Sequence, residues 1–197
     1  MNKFVDSYLD KLAVALSKVS REEIAKIVER LDKAEKEKGT IYIIGNGGSA
    51  ATASHMANDL SAGLRLREIR NFHVVSLADN SATCTAIAND VGFENVFYVQ
   101  LKPVLKPEDV LIAISCSGNS PNIMKAVNYA KDEQVTVIGL TGFDGGELKA
   151  ASDINYHVAT ECGEYGVVED AHMILDHMLF SYYVSLKPET KTNYTMV

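Results

Sequence analysis

The sequence has no tryptophan, three cysteines and four prolines. The cysteines are odd in number and no two have C-x-x-C spacing, which argues against a disulfide framework or a cysteine zinc site. We therefore expect reduced thiols and a cytoplasmic protein. No stretch reaches the roughly 18 apolar residues of a helical membrane span. The amphipathic N-terminus also lacks the apolar core of a signal peptide, so no membrane association is predicted.

Positive charge is scarce as well. Lysine and arginine total 19 against 26 acidic residues, and the net charge is -7 with a pI of about 5.2. This balance argues against a broad nucleic-acid surface, and we expect no nucleic-acid partner. An acidic protein that binds phosphate needs local positive potential from backbone N–H groups and helix N-termini. The length of 197 residues suits one domain with an extension, or two small domains.

The apolar pattern divides the chain into a helical start and an alternating remainder. Residues 3–37 have helical spacing, interrupted at a new N-cap, Ser20. Beyond Gly39, apolar strands alternate with helical segments, which predicts an α/β fold: a three-layer αβα sandwich around a parallel sheet. The predicted strands are 41–45, 73–77, 96–100, 109–115, 135–140 and 154–158, and the predicted helices are 49–65, 80–90, 120–132, 145–151 and 167–186. We expect N-terminal helices over 1–38, the α/β domain over 39–187 and a loose tail over 188–197.

Two of the predicted strands end in loops rich in glycine and hydroxyl groups, residues 45–49 and 115–120. Pro121 follows the second loop at a position that suits the first turn of a helix. Ligands of parallel sheets bind beyond the carboxyl ends of the strands, and helix N-termini bind phosphate. The loops therefore predict a phosphate site, although each alone also suits an ordinary strand–turn–helix connection. Neither has a Walker A or G-x-G-x-x-G pattern, which favours a small phosphorylated ligand over a nucleotide.

Two predicted helices carry metal-binding side chains. His55 and Asp59 are four residues apart and share a helix face. Glu169 and His177 are separated by about 80° around their helix and can share a broad face. Two nitrogens and two carboxylates suit zinc, and also other divalent transition metals. An exposed polar face explains the same spacing, and further donors on the second helix compete: His172 and Asp176.

The loops and donors together resemble the SIS (sugar isomerase) family. GNGGSAATASHMANDL over 45–60 and ISCSGNSPNIMKA over 114–126 carry the resemblance, which extends from about residue 3 to 186. The NGGS-x5-H-x3-acid and acid-x7-His patterns are most similar to phosphoheptose isomerases, which interconvert sedoheptulose 7-phosphate and D-glycero-D-manno-heptose 7-phosphate. The resemblance implies a flavodoxin-like SIS fold, a homotetramer with sites between subunits, and a supply of heptose for surface glycans.

The resemblance also implies roles for individual residues. Asp59 is expected to carry the proton between C1 and C2, or to lie beside that proton as a ligand. His177 is expected to act as the acid–base group at the oxygens, and Glu169 to bind metal and a sugar hydroxyl. The implied substrate residues are Asn46, Gly47, Gly48, Ser49, Asn89, Asp90, Ser115, Cys116, Ser117, Ser120 and Glu169, and the implied zinc ligands are His55, Asp59, Glu169 and His177.

Three residues depart from the family pattern. Asp59, Cys116 and Glu169 stand where these isomerases usually carry Glu, Thr and Gln. Asp59 shortens the reach of the base by one methylene, and Glu169 adds a negative charge that favours a cation. These changes leave open an isomerase of another phosphosugar. A further alternative is a non-catalytic SIS phosphosugar-binding regulator that resembles the DnaA initiator-associating protein and acts on a protein partner.

Overall fold

A central parallel sheet organises the molecule, for which a computed structural model describes residues 1–187. The predicted tail 188–197 lies outside the described residues. The sheet order is β2-β1-β3-β4-β5, with every neighbouring pair parallel. Its strands are β1 (Thr40–Gly45), β2 (His73–Ser76), β3 (Val110–Ser115), β4 (Thr136–Phe143) and β5 (Ile154–Ala159). The chain order reverses between β1 and β3, which opens a crevice at their carboxyl ends.

Helices cover both faces of the sheet, as predicted. On one face α2, α3 and α8 pack against the strands, with α1 lying against α8; α4 to α7 cover the other face. The helices are α1 (Asn2–Ser17), α2 (Arg21–Glu37), α3 (Gly48–Asn58), α4 (Ser81–Val91), α5 (Val96–Leu101), α6 (Pro121–Asp132), α7 (Gly146–Ala151) and α8 (Tyr165–Ser185). A π-helical turn, Asp59–Gly63, continues α3. The structure therefore confirms the three-layer α/β prediction.

The strands are apolar throughout because both faces are covered. In β1, Ile41 and Ile43 join the core on the α2/α8 side, whereas Tyr42 and Ile44 join the opposite core. All six residues of β3 are buried. Burial of one large aliphatic side chain contributes about 1.5–3 kcal/mol, so the central strands anchor the sheet. The loops that follow these strands therefore start from well-packed positions at the edge of the sheet.

The predicted strand at 96–100 is wrong, because the segment forms α5. Valine, phenylalanine and tyrosine favour strands, but their burial here follows a helical face: Val96, Phe97 and Leu101 are buried. The Gln100 side chain donates to the Val96 carbonyl, one helical turn back, at 2.9 Å. Packing of α5 against α6 has overridden the local β preference.

The N-terminal helices differ in how deeply they are packed. Ser20 caps α2, since its Oγ accepts a hydrogen bond from the Glu23 amide at 3.1 Å. Ile27 and Leu31 of α2 lie in the core shared with the sheet. The domain division at residue 38 stays a prediction. Within residues 1–187, no helix combines the length and apolarity needed to cross a bilayer.

Candidate active site

The two sequence-predicted loops meet at the point where the strand order reverses. Gly45 at the end of β1 is paired with Ile114 of β3, so the loops that follow are neighbours. Asn46 and Asn122 join them through two side-chain amide hydrogen bonds of 2.9 and 2.8 Å. Asn122 was not among the residues predicted for the site. Its place in the first turn of α6, directly after the hydroxyl-rich loop, was the available signal.

A small pocket of about 160 Å³ opens between these loops. Most of the predicted substrate residues line it together, which supports their grouping. Those residues are Asn46, Ser49, Ser115, Cys116, Ser117, Ser120 and Glu169, and Ile114 and Tyr165 complete the wall. Hydroxyl groups at the N-terminus of α6 are a suitable environment for phosphate. The structure thus brings one predicted phosphate site together from three separate parts of the chain.

The second loop is held in a fixed conformation. The Gly118 amide donates to Ser115 Oγ at 3.1 Å, and the two hydroxyl oxygens of Ser115 and Ser120 lie 3.3 Å apart. Ser120 precedes α6 as its N-cap without using its hydroxyl to cap the helix. Gly118 has a φ of 66°, and a Cβ there would strike the Gly145 carbonyl, so glycine is required. The serine hydroxyls consequently remain at the pocket wall.

Glu169 lies against the first turn of α3. A Cβ added to Gly48 would collide with the Glu169 carboxylate, so the glycine creates the space that this side chain occupies. Burial, together with the charge of the Glu169 carboxylate, raises the pKa of the Cys116 thiol to about 11. Cys116 is therefore a protonated, buried thiol at neutral pH. The predicted loop residue Gly47 is the N-cap of α3, with a φ of 55°.

Asn89 and Asp90 do not reach this pocket. They lie on the exposed last turn of α4, where Asn89 Nδ2 donates to Asp90 Oδ1 at 2.8 Å. Neither residue lines the wall formed by the two loops. Their role in substrate binding stays a prediction.

A compact group of donors lies farther along α3 and α8. His55 Nε2 is 3.3 Å from His177 Nε2, 3.5 Å from Asp59 Oδ2 and 3.7 Å from Asp176 Oδ2. One ligand atom from each of these four residues lies within 4.8 Å of all the others. Three of the four predicted metal ligands therefore converge. Asp59 begins the π-helical turn, a feature that is frequent at functional sites.

Asp176, which the sequence indicated only as a competing donor, is the fourth member of the group. It is 0% exposed, and neither carboxylate oxygen has a hydrogen-bond partner among the described residues. Burial raises its pKa to about 7, with a further contribution from the nearby Asp59 charge. Glu169 lies outside this donor group, and its role as a metal ligand stays a prediction. An acid within the apolar run ILDHMLF of α8 was the signal for Asp176.

The donor spacing fits a divalent transition metal. Ligand bonds of 2.0–2.1 Å in a tetrahedral site place neighbouring ligand atoms about 3.3–3.4 Å apart. The separations from His55 Nε2, at 3.3, 3.5 and 3.7 Å, are close to that value. A buried carboxylate without a hydrogen-bond partner is also costly unless a cation neutralises its charge, and here two imidazoles lie beside it. Nitrogen and oxygen ligands suit zinc and several other divalent ions.

Comparison with known proteins identifies the family. The SIS domain family model matches residues 7–142. The phosphoheptose isomerase of Trichlorobacter lovleyi is 35% identical over 182 residues, 91% of each chain. That of Helicobacter hepaticus is 40% identical over 79% of this chain and 78% of its own.

Solved structures agree with the sequence comparison. The phosphoheptose isomerase from Neisseria gonorrhoeae superposes with a TM-score of 0.82 at 30% identity, covering 93% of this chain and 98% of that one. The enzyme from Francisella tularensis gives 0.81 at 26% identity, over 93% of this chain and 96% of its own. The chain belongs to the SIS domain family and, within it, to the phosphoheptose isomerases.

Proposed function

We propose that this isomerase converts sedoheptulose 7-phosphate into D-glycero-D-manno-heptose 7-phosphate, as a source of heptose for surface glycans. The observation that carries the proposal is the alignment of two sites along the same pair of helices. Ser49 and His55 are separated by about 9 Å along α3, and Glu169 and His177 by about 12 Å along α8. An extended seven-carbon sugar phosphate has a comparable length. Its phosphate would lie in the hydroxyl-lined pocket and its C1–C2 end beside the histidines.

The phosphate end is bound by the second loop. Ser115, Ser117 and Ser120 provide hydroxyls at the pocket wall, and the N-terminus of α6 provides favourable potential. This arrangement needs no lysine, in keeping with the acidic composition. Glu169 accepts a hydrogen bond from a hydroxyl of the sugar chain between the two ends.

At the C1–C2 end of the sugar, two side chains transfer protons. Asp59 takes the proton from C1 and returns it at C2, while His177 exchanges protons with the two oxygens. Zinc is the proposed metal, and a divalent ion there supplies Lewis acidity toward the sugar oxygens. His55 helps to hold the ion, and its Nε2 lies 3.5 Å from Asp59 Oδ2.

The active unit is proposed to be a homotetramer with sites between subunits. Support comes from the apolar outer face of α1, where Phe4 is 70% and Leu9 57% exposed. The position of Asn89 and Asp90, away from the pocket of their own chain, also suits a site completed by another subunit. A cytoplasmic location stays a prediction.

The direct test follows exchange of the C1 protons of sedoheptulose 7-phosphate in D₂O by NMR. Metal-stripped protein is compared with and without added zinc. We expect zinc-dependent exchange and formation of the aldose, both reduced by about two to four orders of magnitude in Asp59→Asn. Asp132→Asn, an exposed acid on α6, is the matched control and is expected to be unaffected. Binding of the sugar phosphate without exchange under either condition would contradict the proposal and favour a regulatory SIS protein.

A further inference from the structure

Asp176 is an anomaly among the polar side chains of the core. The residue is 0% exposed, and both of its carboxylate oxygens lack a hydrogen-bond partner in residues 1–187. Removing a carboxylate from water without compensation costs several kcal/mol. Its Oδ2 lies 3.7 Å from His55 Nε2, and a ligand atom of Asp176 lies within 4.8 Å of one from each of the other three donors of the group. The fold therefore retains a buried acid at a place where only a cation or a proton can neutralise it.

The distances around Asp176 favour neutralisation by a cation over neutralisation by a proton. Asp176 Oδ2 lies 3.7 Å from His55 Nε2, which is too long for a hydrogen bond and close to the spacing of two ligands on one ion. The same His55 nitrogen is 3.3 Å from His177 Nε2 and 3.5 Å from Asp59 Oδ2. Four donor atoms thus surround one small volume. Two carboxylates also balance the charge of a divalent ion.

Glu169 is placed for a different role. It is two helical turns before His177 on α8, and its carboxylate packs against Gly48 at the start of α3. There it lines the pocket that also contains Cys116 and the serines of the second loop. It has no ligand atom within the compact donor group. Its position suits a contact with the substrate rather than with the ion.

We infer that Asp176, and not Glu169, supplies the fourth protein ligand of a divalent ion held by His55, Asp59 and His177. The inference rests on the proposed function only in that both use the same site. It assigns the added charge of Glu169 to the substrate pocket, where it recognises a sugar hydroxyl. The ion site then consists of side chains from the middle of α8 and the end of α3 only.

The test measures metal binding directly, without substrate. Zinc is titrated into metal-stripped wild type, Asp176→Asn and Glu169→Gln by calorimetry, and cobalt(II) binding is followed by its visible absorption. We expect Asp176→Asn to weaken zinc binding by about 100-fold or more and to change the cobalt spectrum. Glu169→Gln should bind both ions within about threefold of wild type with an unchanged spectrum, while its KM for the sugar phosphate rises.

Each variant can overturn the inference independently. Wild-type zinc affinity in Asp176→Asn would mean that Asp176 is a protonated, packed acid and no ligand. A large loss of zinc affinity in Glu169→Gln would return the fourth ligand to Glu169, even if Asp176→Asn failed to fold. Circular dichroism of the metal-free variants separates misfolding from ligand loss. Because the calorimetric and spectroscopic readouts of metal binding do not use turnover, the isomerase proposal and the ligand assignment fail or survive separately.

Discussion

The Nε2 atoms of His55 and His177 lie 3.3 Å apart although 122 residues separate the two histidines in the sequence. Two imidazoles that present the same nitrogen to each other at this distance cannot both be protonated there. They share one proton or they bind a common ion. The contact exists because α3 and α8 pack side by side on one face of the sheet. It places donors from the end of one helix and the middle of another within one compact group.

Replacing His177 by alanine should reduce turnover by about two to four orders of magnitude. In the proposed mechanism this side chain exchanges protons with the sugar oxygens, and it is also a member of the donor group. Binding of the phosphate end should persist. The serine loop lines the pocket next to Glu169, and Glu169 is two helical turns before His177 on α8. Steady-state kinetics and a separate binding measurement with the sugar phosphate distinguish the two effects.

A matched control for this variant is His73→Gln at the sheet edge. His73 Nδ1 lies 3.0 Å from Thr40 Oγ1, a contact that glutamine can replace. Turnover in this variant should stay within about twofold of wild type. Normal turnover in His177→Ala would remove His177 from the mechanism.

Gly48→Ala is expected to damage the substrate pocket rather than the fold. The new methyl group would collide with the Glu169 carboxylate, which must then move out of its place beside Cys116. A displacement of about 1 Å in a positioning group can reduce kcat/KM by about 100-fold. Ala51→Ser, on the exposed side of the same helix, is the control. Unchanged kcat/KM in Gly48→Ala would show that the position of Glu169 is unimportant for substrate.

The reactivity of Cys116 should be low at neutral pH and should rise as the pH increases. Its thiol has a pKa of about 11 because burial and the Glu169 charge disfavour the thiolate, so the reactive form appears only near that pH. Iodoacetamide at pH 7.5 should therefore label the exposed Cys162 long before Cys116. Mass spectrometry of the peptides measures both rates. Rapid alkylation of Cys116 at pH 7.5 would contradict the buried, protonated thiol.

The substitution Cys116→Thr tests whether the thiol contacts the substrate. Threonine is nearly the same size and keeps the backbone amide of the loop in place. We expect kcat and KM within about threefold of wild type, because the substitution changes neither the serine hydroxyls nor Glu169. A larger loss would mean that the thiol itself contacts the substrate.

The sequence was sufficient for most of the fold because local patterns and tertiary packing agree in the central strands. β1 and β3 are apolar runs bounded by glycine or serine, and both are buried on two faces. Agreement fails at 96–100, where β-branched and aromatic residues form α5, since their burial is decided by a partner, α6. The meeting of the two glycine- and serine-rich loops was also predictable, because loops at the carboxyl ends of parallel strands lie at one edge of the sheet; phosphate binding by them stays a prediction.

Other parts of the site could not be obtained from spacing alone. Helical geometry allowed Glu169 and His177 to share a broad face, but it did not determine which of them approaches α3. The structure directs Glu169 toward Gly48 and brings Asp176 into the group with His55 instead. That difference depends on the rotation and packing of α8 against α3, which are tertiary properties. Asn122 was missed for the same reason, since its partner Asn46 is 76 residues away.

We expect the outer face of α1 to be a contact between subunits. Phe4, Val5 and Leu9 are exposed and lie on one side of the helix, an arrangement that is unfavourable in water unless another surface covers it. The double substitution Phe4→Ser with Leu9→Ser should therefore shift the proposed tetramer toward smaller species in sedimentation velocity at about 10 μM protein, with a parallel loss of turnover if sites lie between subunits. Lys3→Ser, a polar change on the same helix, should leave both properties unchanged. A wild-type chain that sediments as a monomer yet turns over sugar phosphate would contradict the tetramer and place a complete site within one subunit.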